Sequence, residues 1–362
     1  MRTFGWLTAL AICVALLACS SGDDDSAESE TPTPAVTSSG GGSSATVPAG
    51  GSTFLIYRDA AGDLIARDIA EGGLSYRQTV DFNNEVIVGA TCVPDGSNIA
   101  YLRQEFTETR REIVIHGENA PEDRLFIPST VQGIAWSPDG TRIAITDYDG
   151  FDQVHKVSVL DVASGDMTEL SSGPDSAGSI AWSPDGSRIA YYVQKIAGGA
   201  TSIFTMTPEG EDKIELSDPG INWFDPDWLA DSQSILAAGL IGDVFQLYEL
   251  DAETGESAQI TNSDIFKRSA KYSPDGGTIG YTGSIVTEAP QVSRLPVSRA
   301  LHSFGIFLLN SDGTNERAFT ADPRLNPGAA VDPYLDAFLL GWCKPGPWLD
   351  DLWVEEEPEP TQ

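Results

Sequence analysis

The chain has 362 residues, and its 54 acidic and 21 basic residues leave a formal net charge of −33 at pH 7. This excess of negative charge argues against nucleic acid as a partner, because phosphate binding needs concentrated positive charge, and it would also repel anionic lipid. Without the low-complexity amino-terminal part, roughly 310 residues remain, which suits one folded domain.

The first residues predict a lipoprotein signal peptide over residues 1–18. Arg2 gives a positive start, and Phe4 to Ala18 is almost entirely apolar but too short to span a bilayer comfortably. The segment runs into a Leu-Leu-Ala-Cys sequence that resembles a bacterial lipobox. We therefore expect Cys19 to be acylated and to anchor the chain, outside the cytoplasm, to a membrane of the cell envelope. The alternative is an ordinary signal peptide in which Cys19 is incidental.

Residues 19–51 predict a disordered tether. They are mostly Ser, Gly, Asp, Glu, Thr, Pro and Ala, and such a composition cannot bury enough apolar surface to become ordered. A flexible chain of this length has an end-to-end distance of roughly 30 Å. We interpret the run Asp23–Asp25 as solvated rather than metal-binding.

The folded part is expected over residues 52–344. Its first segments, Thr53 to Arg58, Leu64 to Asp68 and Ser75 to Val80, predict strands. No turn precedes the first of them, so we interpret them as the later strands of a unit that lacks its beginning.

One pattern then recurs: an apolar strand often ending in Trp, a Ser-Pro-Asp-Gly turn, and a second apolar strand. Pro pre-sets φ, Asp bonds nearby backbone and Gly relieves the crowded fourth position, so each copy predicts a β-hairpin. The turn prolines, at intervals of 44, 46 and 90 residues, are Pro94, Pro138, Pro184 and Pro274. The long interval predicts a missing copy near residue 229, where Trp228 to Ser232 keeps the pattern without its proline and glycine. A sixth, weaker copy lies at Ala330 to Leu340.

A second hairpin follows four of the copies, with glycine in its turn at Gly165, Gly210, Gly255 and Gly313. Two hairpins in a unit of about 45 residues make the four-stranded blade of a β-propeller. The repeated motif resembles that of the TolB-like propeller family over residues 52–342, which implies an all-β, six-bladed propeller. TolB itself has a globular α/β domain where this chain has its tether, so TolB's partnership with the peptidoglycan-associated lipoprotein is not carried over.

The two chain ends are expected to close the ring as one composite blade, which removes the open sheet edges. The amino-terminal segment would supply late strands and the segment near residues 327–342 early ones. Both ends offer a candidate second strand, so the sequence leaves that division undetermined. An open ring of seven blades is the alternative. Residues 345–362 form an acidic, proline-rich tail whose Trp348, Leu352 and Trp353 are apolar enough to pack on the ring.

Two cysteines, Cys92 and Cys343, remain outside the signal peptide and the lipidation site, in an oxidising compartment. Their blades would be neighbours across the closure. Cys92 precedes a first-hairpin turn, whereas Cys343 is assigned to the far end of a returning strand, a strand length of roughly 20 Å away. Since this exceeds the reach of a disulfide, the sequence favours free thiols over a bond.

Most residues that suggest chemistry have a structural explanation. The turn aspartates Asp139, Asp185 and Asp275 share one local position and are interpreted as turn-forming. The tryptophans of the repeat, Trp136, Trp182 and Trp228, are interpreted as packing between blades.

The sequence implies no cofactor, with Ca²⁺ the one weak possibility. Asp147, Asp149 and Asp152 cluster in a loop after the Ile143 to Ile145 strand, but their spacing does not match a calcium loop. The three histidines, His116, His155 and His302, lie in different repeats. Motifs for a serine nucleophile, a zinc site or a phosphate loop are absent from the sequence.

Two long connections are the candidate binding segments. Gly283 to Ser303 carries Arg294, Arg299 and His302, and Arg103 to Arg111 carries Arg110 and Arg111, which is unusual in so acidic a chain. Both join the second to the third strand of a unit, so both should emerge opposite the Ser-Pro-Asp-Gly turns, on what we call the long-loop face. Function concentrates in long loops on rigid scaffolds, although a tolerated insertion is the alternative.

These features predict a lipid-anchored, monomeric propeller that binds an envelope protein without catalysis. Two alternatives stay open. A glycan-binding or glycan-processing propeller would bring carboxylates and aromatic rings together near the axis. The ectodomain of a signalling or transport assembly would hold a protein partner on the long-loop face.

Overall fold

A computed structural model of the chain describes residues 53–58, 63–69, 75–78, 85–105, 111–117, 125–127, 131–149, 154–171, 175–195, 199–216, 220–242, 244–287, 301–319, 338–346 and 354–356. All of them belong to Ser44–Gln362, one of the two units into which the chain divides, the other being Met1–Ser43. Every helix or strand in the described ranges is a β-strand. Across those ranges, no helix is long and apolar enough to cross a membrane.

The strands form six antiparallel sheets, which are the blades of a propeller. The chain opens with β1 (Phe54–Arg58), β2 (Leu64–Asp68) and β3 (Ser75–Gln78). Blade 1 contains β4 (Glu85–Cys92), β5 (Asn98–Glu105), β6 (Arg111–Gly117) and β7 (Leu125–Ile127). Blade 2 contains β8 (Val131–Trp136), β9 (Arg142–Asp149), β10 (Val154–Asp161) and β11 (Met167–Glu169). Blade 3 contains β12 (Ser176–Trp182), β13 (Ile189–Gln194), β14 (Thr201–Met206) and β15 (Ile214–Leu216).

The second half of the chain continues this order. Blade 4 contains β16 (Asn222–Trp228), β17 (Ser234–Ile241), β18 (Val244–Asp251) and β19 (Ser257–Gln259). Blade 5 contains β20 (Phe266–Tyr272), β21 (Thr278–Thr287), β22 (Leu301–Asn310) and β23 (Arg317–Ala318). The last strands are β24 (Phe338–Cys343) and β25 (Val354–Glu356).

The first strand of each blade faces the axis and contacts the first strands of both neighbouring blades. The contacts run in the cyclic order β4, β8, β12, β16, β20, β24 and back to β4. The predicted six-bladed, closed propeller is therefore confirmed, and the alternative of an open seven-blade ring is wrong.

Blade 6 is the predicted composite of both chain ends, and its strand order is β24, β1, β2, β3, β25. β24 is the innermost strand and pairs with β1, with Cys343 opposite Phe54. The carboxy-terminal segment thus supplies only the first strand of blade 6, and β1 is its second strand. β25, from the tail, adds a fifth strand on the outer edge of β3, whereas Trp348, Leu352 and Trp353 lie outside the described residues.

The core lies between neighbouring blades because both faces of each sheet are buried. In β5, Ile99 and Tyr101 pack towards blade 6, whereas the alternate residues Ala100 and Leu102 pack towards blade 2. This period of two is the strand geometry itself. It explains why the blade strands read as nearly continuous apolar runs rather than as a polar and apolar alternation.

The Ser-Pro-Asp-Gly segments form the predicted turns. In blade 2, Gly140 has a φ of +68°, and its N–H donates to the Ser137 carbonyl at 3.0 Å. The Asp139 carboxylate accepts from the Ser137 hydroxyl at 2.6 Å and from the Thr141 N–H at 3.1 Å. The bond from Ser137 leads the causes that lower the pKa of Asp139. In the copy near residue 229, Ser232 takes the glycine position with a φ of +58°.

Cys92 and Cys343 form a disulfide, with 5.7 Å between their Cα atoms, so the expectation of free thiols is wrong. The error came from assigning Cys343 to a returning strand. Because β24 is a first strand, Cys343 and Cys92 both lie at the ends of neighbouring first strands, at the same height along the axis.

Candidate functional site

An axial cavity of about 360 Å³ opens at the turn face, the face that carries the Ser-Pro-Asp-Gly turns. All six first strands line it through their carboxy-terminal halves. Its rim includes the turn residues Pro94, Pro184, Ala230 and Pro274. A cavity of this size falls in the range of small-ligand sites.

The first strands have no neighbouring strand on the axial side, so their backbone groups need other partners. Side chains of the preceding blade supply several of them. Thr91 Oγ1 accepts from the Trp136 N–H at 3.3 Å. Asp225 and Asp227 each accept, at 2.9 Å, from the N–H groups of Ser269 and Tyr272 respectively. The wall of the cavity therefore consists of strand edges, several of whose N–H groups donate to side chains that lie one repeat earlier in the sequence.

The tryptophans of the repeat pack between blades, as predicted, and three indole groups also hold the strand edges or turns. Trp228 Nε1 donates to the Ala181 carbonyl at 3.3 Å, Trp342 Nε1 to the Lys271 carbonyl at 3.0 Å, and Trp182 Nε1 to the Gly186 carbonyl at 3.2 Å. Trp136 differs. It lines the cavity and is 5% exposed, but its Nε1 has no hydrogen-bond partner in the described part of the chain.

Asp225 joins three blades at the inner end of the cavity. It occupies the bulge of β16 with a φ of +51°. It accepts from Arg268 Nε at 2.5 Å and Nη2 at 3.2 Å, in blade 5, and from the Ser179 hydroxyl at 2.8 Å, in blade 3. Burial would raise the pKa of Asp225, but Arg268 and the other donors outweigh it and lower this pKa to about 2.

Asp227 forms the second ion pair of the cavity, at 3.0 Å from Lys271 Nζ. Burial raises the pKa of Asp227, and the Lys271 charge opposes this rise without cancelling it. Both oxygens of Asp227 are engaged, one by Lys271 and one by the Tyr272 N–H. Asp225 accepts from four donors, so neither carboxylate presents an unoccupied oxygen to a substrate. Both carboxylates nevertheless lie near the axis, where the glycan alternative requires them.

The structure places Arg111 between blades rather than at an open surface. Its Nε donates to Gln104 Oε1 at 3.0 Å, and its Nη1 bonds to the Val131 carbonyl of blade 2. His302 lies in β22, whereas Arg110, Arg294, Arg299 and the lipidation candidate Cys19 lie outside the described residues. The connections after β5 and β21 start at the ends of these strands that are remote from the turn face, which is consistent with the predicted long-loop face.

Asp147 and Asp149 are part of β9, so their assignment to a loop is wrong; Asp152 lies outside the described residues. The strand continues because Asp147 pairs with Lys156 and Asp149 with Val154 on β10. Asp147 also accepts from the Ser158 hydroxyl at 3.0 Å. Among the described residues, no group of three potential metal ligands occurs. The histidines lie in blades 1, 2 and 5, dispersed as predicted.

The paired charges of blades 4 and 5 were not among the residues that the sequence singled out. The signal was present, since Asp225 and Asp227 interrupt an apolar first strand and Arg268 and Lys271 follow 43 and 44 residues later. Such a separation is one repeat, which places equivalent positions of neighbouring blades side by side.

Comparisons with known proteins agree with the β-propeller fold. Residues 129–299 match the family model described as the TolB beta propeller domain. Curated protein sequences give no match. TolB from Acinetobacter baumannii is 16% identical with a TM-score of 0.59, over 82% of this chain and 67% of that chain. Putative TolB from Agrobacterium tumefaciens is 16% identical with a TM-score of 0.53, over 86% and 100%. A chain of a nidogen/laminin complex is 12% identical with a TM-score of 0.55, over 80% and 97%. Identities this low establish the fold alone.

Proposed function

We propose that this chain, a TolB-type six-bladed β-propeller, is a non-catalytic protein-binding module of the bacterial envelope, tethered to a membrane through Cys19. The axial cavity carries the proposal. Strand edges from all six blades surround it, and Trp136 Nε1 offers a buried donor for which the described residues supply no acceptor. An extended segment of a partner protein suits such a wall, because one of its backbone carbonyls can accept from Trp136 Nε1.

The charged groups of the cavity favour binding over chemistry. Asp225 and Asp227 already hold cations and backbone N–H groups. A general acid or base must instead reach the reacting group. On the long-loop face, Arg110, Arg294, Arg299 and His302 remain proposed contacts for a partner. Arg111 is a weaker candidate, because its guanidinium is engaged between blades 1 and 2.

The binding role is tested by photo-crosslinking in bacterial cells that express the full chain. A photoreactive amino acid replaces Ala230, which is exposed at the cavity rim. The control replaces Thr168, which is also exposed, on β11 at the outer edge of blade 2. We expect a discrete protein adduct from position 230 and not from position 168. Identical adducts at both positions, or none at either, would contradict the proposal.

The anchor is tested by separating membrane and soluble fractions. Cys19→Ala should move the chain from the membrane fraction to the soluble fraction, because it removes the acylated thiol. Cys13→Ala is the matched control, since Cys13 lies inside the predicted signal peptide, and it should leave the chain on the membrane. Retention of Cys19→Ala chain on salt-washed membranes would overturn the lipid anchor.

A further inference from the structure

Blade 6 differs from the other blades at its outer edge. Blades 1 to 5 have four strands each, whereas β25 adds a fifth strand to blade 6. β25 runs antiparallel to β3, in a register that extends from Val354 opposite Arg77 to Glu356 opposite Ser75. The edge of β3 is therefore a place where an extended segment adds to the propeller through its backbone.

The length of β3 explains why this edge accepts a strand. The outer strands of blades 1 to 5 have two or three residues, and such short edges are poor templates for pairing. β3 has four residues and pairs along its whole length with β2, from Leu64 opposite Gln78 to Arg67 opposite Ser75. Because β2 pairs in turn with β1, and β1 with the innermost strand β24, the ring holds this edge in place.

β25 is suited to cover the edge of β3, but it is a weak strand. Glutamate is disfavoured in strands, and two of the three residues of β25 are Glu355 and Glu356. Glu357 and Pro358 follow directly, and charge and proline are features with which edge strands prevent further pairing. Among the described strands, only β3 makes extensive contact with β25. A segment with better strand-forming residues can therefore compete for the same place.

We propose that the outer edge of β3 is a second docking site, which β25 covers and which a partner protein occupies by displacing β25. The partner supplies an extended segment that pairs antiparallel with Ser75–Gln78, and it carries β-branched or aromatic residues where β25 carries glutamate. Because β25 belongs to the same chain, it competes at an effective concentration on the order of millimolar. The inference shares the partner class of the proposed function but does not depend on the axial cavity.

The test releases β25 within the full chain by combining Val354→Pro with Glu355→Pro. Successive N–H groups of a strand point to opposite sides, so one of the two prolines removes a donor that faces β3. The matched control combines Thr361→Pro with Gln362→Pro, which adds the same two prolines beyond β25. Both variants should unfold at nearly the same temperature, because the contacts between blades remain.

The probe is a fluorescein-labelled peptide with the sequence of residues 350–359, which include β25. In fluorescence anisotropy it should bind the released variant at least tenfold more tightly than the unaltered chain or the control, because no covering strand competes. The same peptide with proline at the positions of Val354 and Glu355 should not bind. A photoreactive group at the peptide's position 355 should attach to β3, where Tyr76 is the register partner of Glu355.

Selection of random 12-residue peptides on the released variant tests the chemistry of the partner. Enriched peptides should be rich in Val, Ile, Thr, Tyr, Phe or Trp, should lack internal proline, and should displace the probe. Enriched peptides that leave the probe bound, or that carry no excess of strand-forming residues, would contradict the proposed partner.

Several other results would overturn the proposal. Equal binding of the probe to the released variant and the unaltered chain would show that β25 does not block the site. Absence of binding to either chain would show that β25 is a fixed cover that no separate strand replaces. A released variant that unfolds well below the control would show that β25 is an essential part of blade 6.

A second copy of the chain gives a distinct outcome that would also overturn the proposal. Exchange of β25 between copies would appear, in analytical ultracentrifugation, as a dimer of the unaltered chain that the released variant does not form. The crosslinks expected from position 230 report on the axial cavity. Failure of the docking site at β3 is therefore distinguishable from failure of the proposed function.

Discussion

At the scale of single residues, Asp225 explains most about the centre of the ring. A carboxylate in a first strand would be unfavourable if it were unpaired, because burial without compensation costs several kcal/mol. Here the bulge and the positive φ of Asp225 turn its carboxylate towards Arg268, Ser269 and Ser179. One side chain thereby links blades 3, 4 and 5.

The substitution Asp225→Asn tests this role through the pH dependence of stability. The folded-state pKa of about 2 lies below the usual value of 3.8. The ionised group therefore stabilises the fold fully above pH 4, and its contribution, about 2 kcal/mol, is lost as the pH falls towards 2. In urea unfolding, the variant should be less stable by about this amount at pH 7 and nearly equal to the unaltered chain at pH 2.

The control for this prediction is Asp212→Asn. Asp212 also has a positive φ, +48°, but is exposed, so asparagine should be tolerated there without loss. An equal loss of stability in both variants at pH 7 would mean that backbone conformation, and not the ion pair with Arg268, explains the effect at Asp225.

At the scale of strands and turns, the same irregularity recurs in every blade. The pairing of first and second strands shifts register once in each of blades 1 to 6. Bulges increase local twist and bend a strand, which suits strands that converge around an axis. In β16 the bulge also turns Asp225 towards Arg268 of blade 5.

The second-hairpin turns allow a matched test of packing between blades. Gly165 and Gly313 have similar φ values of +75° and +82°, so alanine should cost about 1 kcal/mol of backbone strain at either. A Cβ on Gly165 meets no atom within 4 Å, whereas one on Gly313 runs into the Ile260 carbonyl oxygen of blade 4. We expect Gly313→Ala to reduce the free energy of unfolding by roughly 2 kcal/mol more than Gly165→Ala. Equal losses in chemical denaturation would show that blades 4 and 5 can separate there without cost.

At the scale of the whole molecule, the fold depends on joining the two chain ends. β24 and β1 pair within blade 6, and the Cys92–Cys343 disulfide links that blade to blade 1. The bond closes a loop with a sequence separation of 251 residues. A cross-link over such a length restricts the unfolded chain strongly in the loop-entropy model.

Reduction of the disulfide should therefore lower the free energy of unfolding by about 5 kcal/mol. The measurement is thermal unfolding with and without a reductant. The double variant Cys92→Ser with Cys343→Ser should melt like the reduced chain and should not respond to the reductant, which separates this bond from effects at Cys13 and Cys19. If the unaltered chain has the same melting temperature under both conditions, the disulfide does not stabilise the closed ring.

The sequence by itself determined the repeated hairpins, the six blades and the composite closure. Both signals are local, because turn formation and alternating burial depend only on neighbouring residues. Each repeat therefore shows them independently, as at the turns of Pro94, Pro138, Pro184 and Pro274. It also pointed to the copy at Trp228 to Ser232 despite its lost proline and glycine, because the flanking strands kept the period.

Only the tertiary structure decided what happens between repeats. Whether β1 or the carboxy-terminal segment provides the second strand of blade 6 depends on which pairing buries both faces. That choice then sets the height of Cys343 and makes the disulfide possible. The contacts of Asp225 with Arg268 and of Tyr192 with Phe224 likewise arise because the fold places one blade beside the next. No local sequence pattern encodes the distance between side chains of two blades.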